Sequence, residues 1–296
     1  MMISKLKAVG ISGAAVVAVA GLAGPVGAGE NAPADKGAYH LFHPTPAALM
    51  RELTTDRPDK TESPYTVDAG HYQIELDLVN FSSDRHNPAR ADTSVETVAI
   101  APLNLKAGLC NRVDFQLVLQ TYTSVPTHDR AAGTVTTQRG FGDVILRLKV
   151  NLWGNDGGTT AAAVMPYLKL PTNQDQLGNN SVEGGLILPL AVKLPAGWDM
   201  GIMTQFDFNR DLVGRGRHVE FINSITFAHD LVGKLGGYVE FFSSATAEAG
   251  VPWVGTLDVG FTFGLTDNLQ LDAGVNLGIT RAADDINPFL GLSWRF

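Results

Sequence analysis

Residues 257–264 read LDVGFTFG, with a large apolar side chain at every odd position and an aspartate, threonine or glycine at every even one. Successive side chains of a β-strand point to opposite faces of the sheet, so this strand has one oily face and one polar or small face. An aspartate in the middle of the second face would be intolerable in a dry core. The stretch therefore predicts a sheet with lipid on one side and water on the other.

The same alternation recurs from Tyr72 to the C-terminus. It predicts about twelve strands, most of them about nine to eleven residues long, which is the length that a tilted strand needs to cross a bilayer. Strands of soluble proteins usually have about five or six residues. The predicted strands are 72–82, 94–105, 111–122, 142–152, 161–170, 183–194, 199–208, 218–229, 235–244, 253–264, 269–279 and 288–296.

The predicted connections are alternately short and long. The short ones are 106–110, 153–160, 195–198, 230–234 and 265–268, and the longer, polar ones are 83–93, 123–141, 171–182, 209–217, 245–252 and 280–287. Short turns at one rim, long loops at the other and an even strand number are typical of outer-membrane barrels. The predicted fold class is all-β: a transmembrane antiparallel up-and-down β-barrel with a short N-terminal pre-barrel segment.

The N-terminus has the pattern of a signal peptide. Lys5 and Lys7 precede the uncharged run 8–22, and Val26-Gly27-Ala28 offers small residues for cleavage. An uncleaved membrane anchor is disfavoured because the apolar run is short and contains glycine. We therefore predict a signal peptide (1–28), a pre-barrel periplasmic or plug segment (29–70) and a barrel (71–296), exported to the Gram-negative outer membrane.

Composition limits the possible functions. Without the two lysines of the signal peptide, 20 basic residues face 30 acidic ones, which argues against a nucleic-acid partner. No apolar run of membrane-spanning helical length follows the signal peptide. Cys110 is the single cysteine and excludes an internal disulfide. The expected partner is the lipid bilayer, and no cofactor or metal cluster is predicted.

The polar strand faces are predicted to line the lumen. A net acidic lining would favour cations over anions. A twelve-stranded barrel is narrow, however, so opposite charges can also link into a network that leaves only a tight path. The predicted lumen-lining residues are Glu75, Asp77, Glu96, Asp114, Asp207, Glu220, Glu240, Asp258 and Asp272, against Arg147, Lys149, Lys169, Lys193 and Arg295.

Aromatic residues mark the strand ends. The last strand alternates up to Trp294 and Phe296, and a terminal aromatic residue of this kind resembles the insertion signal that the outer-membrane assembly machinery recognises. Other aromatic residues near strand ends fit interfacial girdles, namely Trp153, Trp198, Trp253, Tyr122 and Tyr238.

The residues before the first strand carry a motif. Residues 53–75 read LTTDRPDKTESPYTVDAGHYQIE. This stretch resembles the opening signature of the outer-membrane transporter family named for the meta-pathway of phenol degradation, with the pattern T-D-R-P-D-x-T-x-S-P-x-T-V-x-x-G-x-x-Q-x-E. The resemblance implies a signal peptide, a barrel, and passage of small, in particular aromatic, compounds.

The charges and prolines of this motif also suggest a structural role for it. Asp56, Arg57, Pro58, Asp59 and Lys60 form a charged, proline-stiffened strip that disfavours both helix and strand. Entering a polar barrel from the periplasm, it would act as a plug; the other reading is a periplasmic tail that leads into the first strand. The preceding residues 44–53 predict a short helix.

No residue pattern predicts catalysis. Ser224 lies beside Asn223 without a paired histidine, and His218 with Glu220 fits a solvated pair at the barrel rim. We therefore predict a non-enzymatic channel or transporter for small molecules. The alternative is a structural or adhesive barrel without transport.

Overall fold

The computed structural model describes residues 35–87, 92–211 and 216–296. Within them, fifteen antiparallel strands form one sheet, and the helical elements are 3-10 turns at Ala47–Leu49 and Pro195–Gly197. None of these described residues belongs to a helix that is long and apolar enough to span a membrane. The predicted signal peptide lies outside the described residues.

The strands are β1 (Tyr72–Asp84), β2 (Thr93–Ile100), β3 (Leu103–Cys110), β4 (Val113–Leu119), β5 (Tyr122–Asp129), β6 (Thr134–Gly140), β7 (Val144–Trp153), β8 (Thr160–Leu170), β9 (Glu183–Lys193), β10 (Trp198–Arg210), β11 (Arg217–Val232), β12 (Leu235–Thr246), β13 (Val254–Thr266), β14 (Leu269–Gly278) and β15 (Ile286–Arg295).

Twelve of these strands close into a ring, because β1 pairs with both β3 and β15. The order around the ring is β1, β3, β4, β7 and then β8 to β15 in sequence. At the seam, the backbone N–H of Phe296 donates to the carbonyl of Tyr72 at 2.9 Å, and that of Tyr72 donates to Phe296 at 3.0 Å. The closed barrel confirms the predicted fold class.

Side-chain exposure follows the alternation of the sequence. On β13, Leu257 and Phe261 point outward and are 41% and 56% exposed, whereas Asp258 between them is fully buried. Lys149 on β7 is likewise almost fully buried. The oily face is therefore outside the ring and the charged face inside, as a bilayer requires.

Part of the predicted strand plan is wrong. The predicted strand 94–105 is broken between β2 and β3, where Ala101 has a φ of 51° and Pro102 offers no backbone N–H. The predicted loop 123–141 is instead the hairpin of β5 and β6, which pairs with β2 outside the ring. The β6 sequence, TVTTQRG, has no apolar face, and it was therefore expected to form a loop.

The predicted turn 106–110 is also wrong, because these residues belong to β3 and the turn is at Asn111 and Arg112. Gly108 lies within β3, at a position that has no room for a side chain. A Cβ there would come within 2.1 Å of the backbone oxygen of Asp68, so glycine lets the chain before β1 pack directly on β3.

Two smaller expectations fail as well. The predicted helix 44–53 is reduced to the 3-10 turn Ala47–Leu49, because Met50 is extended and the backbone N–H of Arg51 donates to the Asp68 carboxylate. Tyr238 is not a girdle residue, since it lines a cavity inside the barrel.

Neighbouring positions on β13 test which face meets lipid. We expect a spin label at Phe261 to contact lipid-dissolved oxygen and one at Thr262, which lines an interior cavity, to contact a water-soluble nickel chelate. Electron paramagnetic resonance in bilayers, in a Cys110→Ser background, measures both. Reversed or equal accessibilities would contradict the orientation of the sheet.

Candidate functional site

Residues 51–69, hereafter the inner segment, run through the interior of the barrel. Asp56 binds Lys149 on β7, and Lys60 binds Asp258 on β13. These two strands lie half the ring apart, so the inner segment touches opposite walls. Further contacts reach β1, β4, β11, β12 and β14.

Asp56 is the most enclosed charge of the inner segment. Its carboxylate binds the Lys106 ammonium at 2.5 Å and the Lys149 ammonium at 2.6 Å, and the three side chains are at most 5% exposed. Burial alone would raise the pKa of Asp56, but the two ammonium groups outweigh burial and hold it below its ordinary value. Asp56 is therefore ionised at neutral pH.

Arg57 connects the inner segment to the wall near the seam of the barrel. Its guanidinium binds Asp77 on β1 and Asp272 on β14, each at 2.6 Å. Gly291 on β15 makes room for this group, because a Cβ at that position would come within 2.1 Å of Arg57 Nη2. One arginine thus joins three strands around the seam of the barrel.

Polar contacts continue along the segment. The Lys60 ammonium binds Asp258 at 3.0 Å, and the Thr61 hydroxyl donates to Glu240 on β12 at 2.6 Å. Glu62 then binds Arg147 on β7 at 2.5 Å. These contacts match charges and hydrogen-bonding groups of the two surfaces, and the Lys60 ammonium also lies 4.5 Å from the centre of the Phe242 ring.

Asp59 differs from its charged neighbours in the inner segment, because among the described residues it has no cationic side chain within ion-pair distance. Burial and the nearby Glu240 carboxylate hold the pKa of Asp59 well above its ordinary value, against a hydrogen bond from Thr226. An unpaired acid at this depth costs stability when it ionises.

Both ends of the inner segment are fastened at one place, hereafter the clasp. Asp68, 1% exposed, is within 3.5 Å of cationic groups of Lys36, Arg51 and Arg295. Arg51 also donates to the Thr66 carbonyl at 3.0 Å and binds Asp156 at the same distance. The first and last turns of the segment are therefore held side by side at the rim.

Most of the predicted lumen-lining residues fall into two groups. One group contacts the inner segment or the clasp, and comprises Glu75, Asp77, Asp114, Arg147, Lys149, Glu240, Asp258, Asp272 and Arg295. A second group has partners on the wall itself: Lys169 with Glu183, Glu220 with Asn209, and Asp207 with Tyr167. The other two residues belong to neither group: Lys193 is exposed at the end of β9, and Glu96 lies outside the ring on β2 and binds Arg85.

Sequence reasoning missed Lys106, the closest partner of Asp56. The assignment of residues 106–110 to a turn removed it from the polar face. The sequence does indicate that the strand continues here, because Leu103, Leu105 and Leu109 extend the apolar alternation through this stretch.

One group of three side chains in the described residues has the spacing of metal ligands: Asp211, His218 and Glu248, whose ligand atoms all lie within 4.8 Å of one another. Asp211 follows β10, His218 lies at the start of β11 and Glu248 follows β12, so sequence alone does not connect them. His218 faces these two acids, whereas Glu220 bonds to Asn209 and Ser244. Ser224 bonds to Thr61.

A closed ring with an oily exterior and a charged interior defines the class of integral outer-membrane β-barrels. The structure is similar to the COG4313 outer membrane channel from Pseudomonas putida F1, with a TM-score of 0.57 and 15% identity over 82% of this chain and 100% of that one. The NanC porin matches with a TM-score of 0.48 and 10% identity over 74% of this chain and 98% of that one. The CymD monoaromatic hydrocarbon channel gives 0.42 and 8% over 76% and 88%.

The chain belongs to the family described as "Putative MetA-pathway of phenol degradation", whose model matches residues 55–296. The match begins within the inner segment, so the charged strip and the barrel belong to one family pattern. This confirms the resemblance found in the sequence. A search of curated proteins found no match.

The buried ion pairs of Asp56 should matter for stability. We expect Asp56→Asn to lower the free energy of unfolding by about 3 kcal/mol or more, because it leaves the buried Lys149 ammonium without its carboxylate partner and removes one of the two carboxylates that bind Lys106. Lys149→Met should cost less, since Asp56 keeps Lys106. Denaturant midpoints of the purified protein in detergent measure both, with the exposed Asp35→Asn as control. An effect of Asp56→Asn no larger than that of the control would contradict this account.

Asp59 should give stability a pH dependence. Because its pKa is raised in the folded state, wild-type stability is lost as pH rises from the ordinary pKa of an aspartate through the raised value. Asp59→Asn removes this loss. We therefore expect the stability gain of the variant, measured by thermal unfolding, to grow as pH rises above the ordinary pKa of an aspartate, about 4. A gain that shrinks as pH rises would show that the sign is wrong.

Proposed function

We propose that this protein is an outer-membrane channel for small molecules in which the inner segment acts as a plug. The observation that carries the proposal is that the segment spans the lumen and is held by ion pairs to opposite walls, through Lys149 on one side and Asp258 on the other.

The chemistry of these contacts suits a removable plug. Ion pairs and hydrogen bonds hold the segment, and water entering the lumen can rehydrate the charges on both partners. An apolar plug would instead expose oily surface each time it moved. The clasp keeps both ends at the rim while the tip around Asp56 to Glu62 is released.

The proposed solutes are small aromatic or other hydrophobic compounds, and the support for this is the description of the family as one of phenol degradation. We further propose export through a cleaved signal peptide, residues 1–28. Trp294 and Phe296 support recognition by the assembly machinery, since both are about half exposed, and Phe296 stacks on Tyr72 at the seam. The absence of a catalytic role is part of the same proposal.

A charge reversal tests the plug. Arg57→Asp places a third carboxylate beside Asp77 and Asp272, so we expect the segment to leave and single-channel conductance in planar bilayers to rise severalfold. Arg57→Asp with Asp272→Arg restores an opposite-charge pair and should bring conductance back toward wild type. Deletion of residues 53–65 sets the fully open level.

The same variants separate the channel from a structural or adhesive barrel. In liposomes, the deletion variant should pass small sugars and aromatic acids faster than wild type. If neither solutes nor ions cross through the wild type or the deletion variant, the protein is not a channel. If deletion leaves conductance unchanged, the inner segment is not a plug.

A further inference from the structure

A histidine and two acids converge at the mouth of the barrel on the side of the long loops. His218 lies at the start of β11, Asp211 follows β10, and Glu248 follows β12. The three side chains, hereafter the mouth cluster, are at the opposite rim from the clasp, which includes Arg295 at the end of β15. The mouth cluster is thus separate from the contacts that hold the inner segment.

The register of the strands brings these residues together. β10 and β11 pair along their full length, so Asp211, the first residue after β10, lies next to the start of β11. On the other side of β11, the backbone N–H of Ala247 donates to the Val219 carbonyl at 2.9 Å, which places Glu248 beside His218. Three neighbouring strand ends therefore each supply one side chain to the cluster.

The mouth cluster faces the lumen. Alternate residues of a strand share a face, so His218 points to the same side of β11 as Ser224, whose hydroxyl is 2.6 Å from that of Thr61 in the inner segment. The His218 side chain is 11% exposed, and those of Asp211 and Glu248 are 25% and 16% exposed. The cluster is therefore partly enclosed but open to an ion that enters the mouth.

The distances within the cluster are those of metal ligands. Nδ1 of His218 is 2.9 Å from Asp211 Oδ1 and 3.6 Å from Glu248 Oε2. Ligand atoms bound at about 2.0 Å around a tetrahedral zinc ion lie roughly 3.3 Å apart, between these two values. All three ligand atoms are within 4.8 Å of one another. Three protein ligands also leave one position of the ion open for water.

Neighbouring residues fix the positions of the ligands. The backbone N–H of Asp211 donates to the Gly216 carbonyl at 3.1 Å, and a Cβ at Gly216 would come within 1.9 Å of Asp211 Oδ2, so glycine makes room for the carboxylate. One layer deeper in the lumen, Glu220 accepts hydrogen bonds from Asn209 at 2.9 Å and from Ser244. Because Glu220 has these partners on the wall, it does not compete for the imidazole of the cluster.

Charge and ligand type both favour a metal cation of a particular class. The mouth cluster is negative in either state of the imidazole, because two carboxylates outweigh one protonated histidine. An ion pair between a protonated His218 and Asp211 is the alternative to a metal site. Imidazole combined with carboxylates suits zinc and other transition metals, whereas magnesium and calcium prefer oxygen ligands alone.

We propose that the mouth cluster binds one divalent transition-metal ion, such as zinc, through His218 Nδ1 and one carboxylate oxygen each of Asp211 and Glu248. A bound ion ties the ends of β10, β11 and β12 to one another at the mouth of the lumen and neutralises the cluster. The inference goes beyond the proposed channel function and does not depend on the plug, since binding is measured without transport.

Zinc binding to the purified protein in detergent tests the proposal. After metal removal with EDTA and dialysis, we expect competition with a fluorescent zinc indicator to show one bound equivalent per chain in excess magnesium and calcium. His218→Ala should abolish this binding. Asp211→Asn and Glu248→Gln should each weaken it by about tenfold or more. They serve as readouts if His218→Ala does not assemble, because both residues lie beyond the strand ends.

His86 provides a matched control. Its Nδ1 is 3.0 Å from Asp285 near the same rim, but the pair belongs to no group of three metal ligands among the described residues. His86→Ala should therefore leave zinc binding unchanged. Zinc should also raise the midpoint of thermal unfolding of wild type and of His86→Ala, but not that of His218→Ala.

Several results would overturn the inference: no bound zinc equivalent in wild type, a zinc affinity that none of the three mouth variants lowers, or calcium or magnesium binding as tight as that of zinc. Equal losses in His86→Ala and His218→Ala would do the same, because any pair of a histidine and an acid would then suffice. None of these results bears on the plug, which is tested by the conductance of the deletion variant.

Discussion

The structure depends on one constraint: a strand in hydrocarbon has no water to bond its backbone N–H and C=O groups. A sheet can meet this demand only by having no free edge, and here the first and last ring strands, β1 and β15, pair along their length. Closure also creates an interior that is shielded from lipid. Charges such as Asp258, which no soluble sheet could bury without partners, become acceptable on the inner face.

The interior then creates a demand of its own. Twelve strands enclose a lumen narrower than that of the large porins, and its many charged side chains need partners. The inner segment answers both conditions, because it supplies Arg57 and Lys60 to wall acids and Asp56 to wall lysines. Asp59 breaks the pattern, because it is buried in the lumen without a cationic partner among the described residues.

Most of the fold could be predicted because period-two alternation is a local property: it follows directly from which side chains face lipid and which face water. The ring strands from β8 to β15 follow the predicted ranges closely. The failures share a different cause. The β5–β6 hairpin is polar on both faces, and its position is set by its pairing with β2. Tyr238 points into the barrel, and near the end of its strand the alternation is compatible with either face of the sheet.

The interior site was less accessible to sequence reasoning. The charged strip could be recognised, yet its partners depend on which strand lies opposite which, and that is set by closure of the ring. Lys106 was not predicted as a lumen residue because the turn was placed a few residues too early. In a strand, a shift of that size changes whether a residue is assigned to the rim or to the lumen. The grouping of Asp211, His218 and Glu248 also depends on which strands are neighbours, since the adjoining ends of β10, β11 and β12 bring them together.

The clasp has a kinetic consequence. Lys36, Arg51 and Arg295 around Asp68 keep both ends of the inner segment next to its docking surface, so a released tip remains tethered. Return is then an intramolecular step with an effective concentration in about the millimolar range, independent of the amount of protein present. In the proposed plug function, each opening would therefore be followed by return of the tip of the same chain.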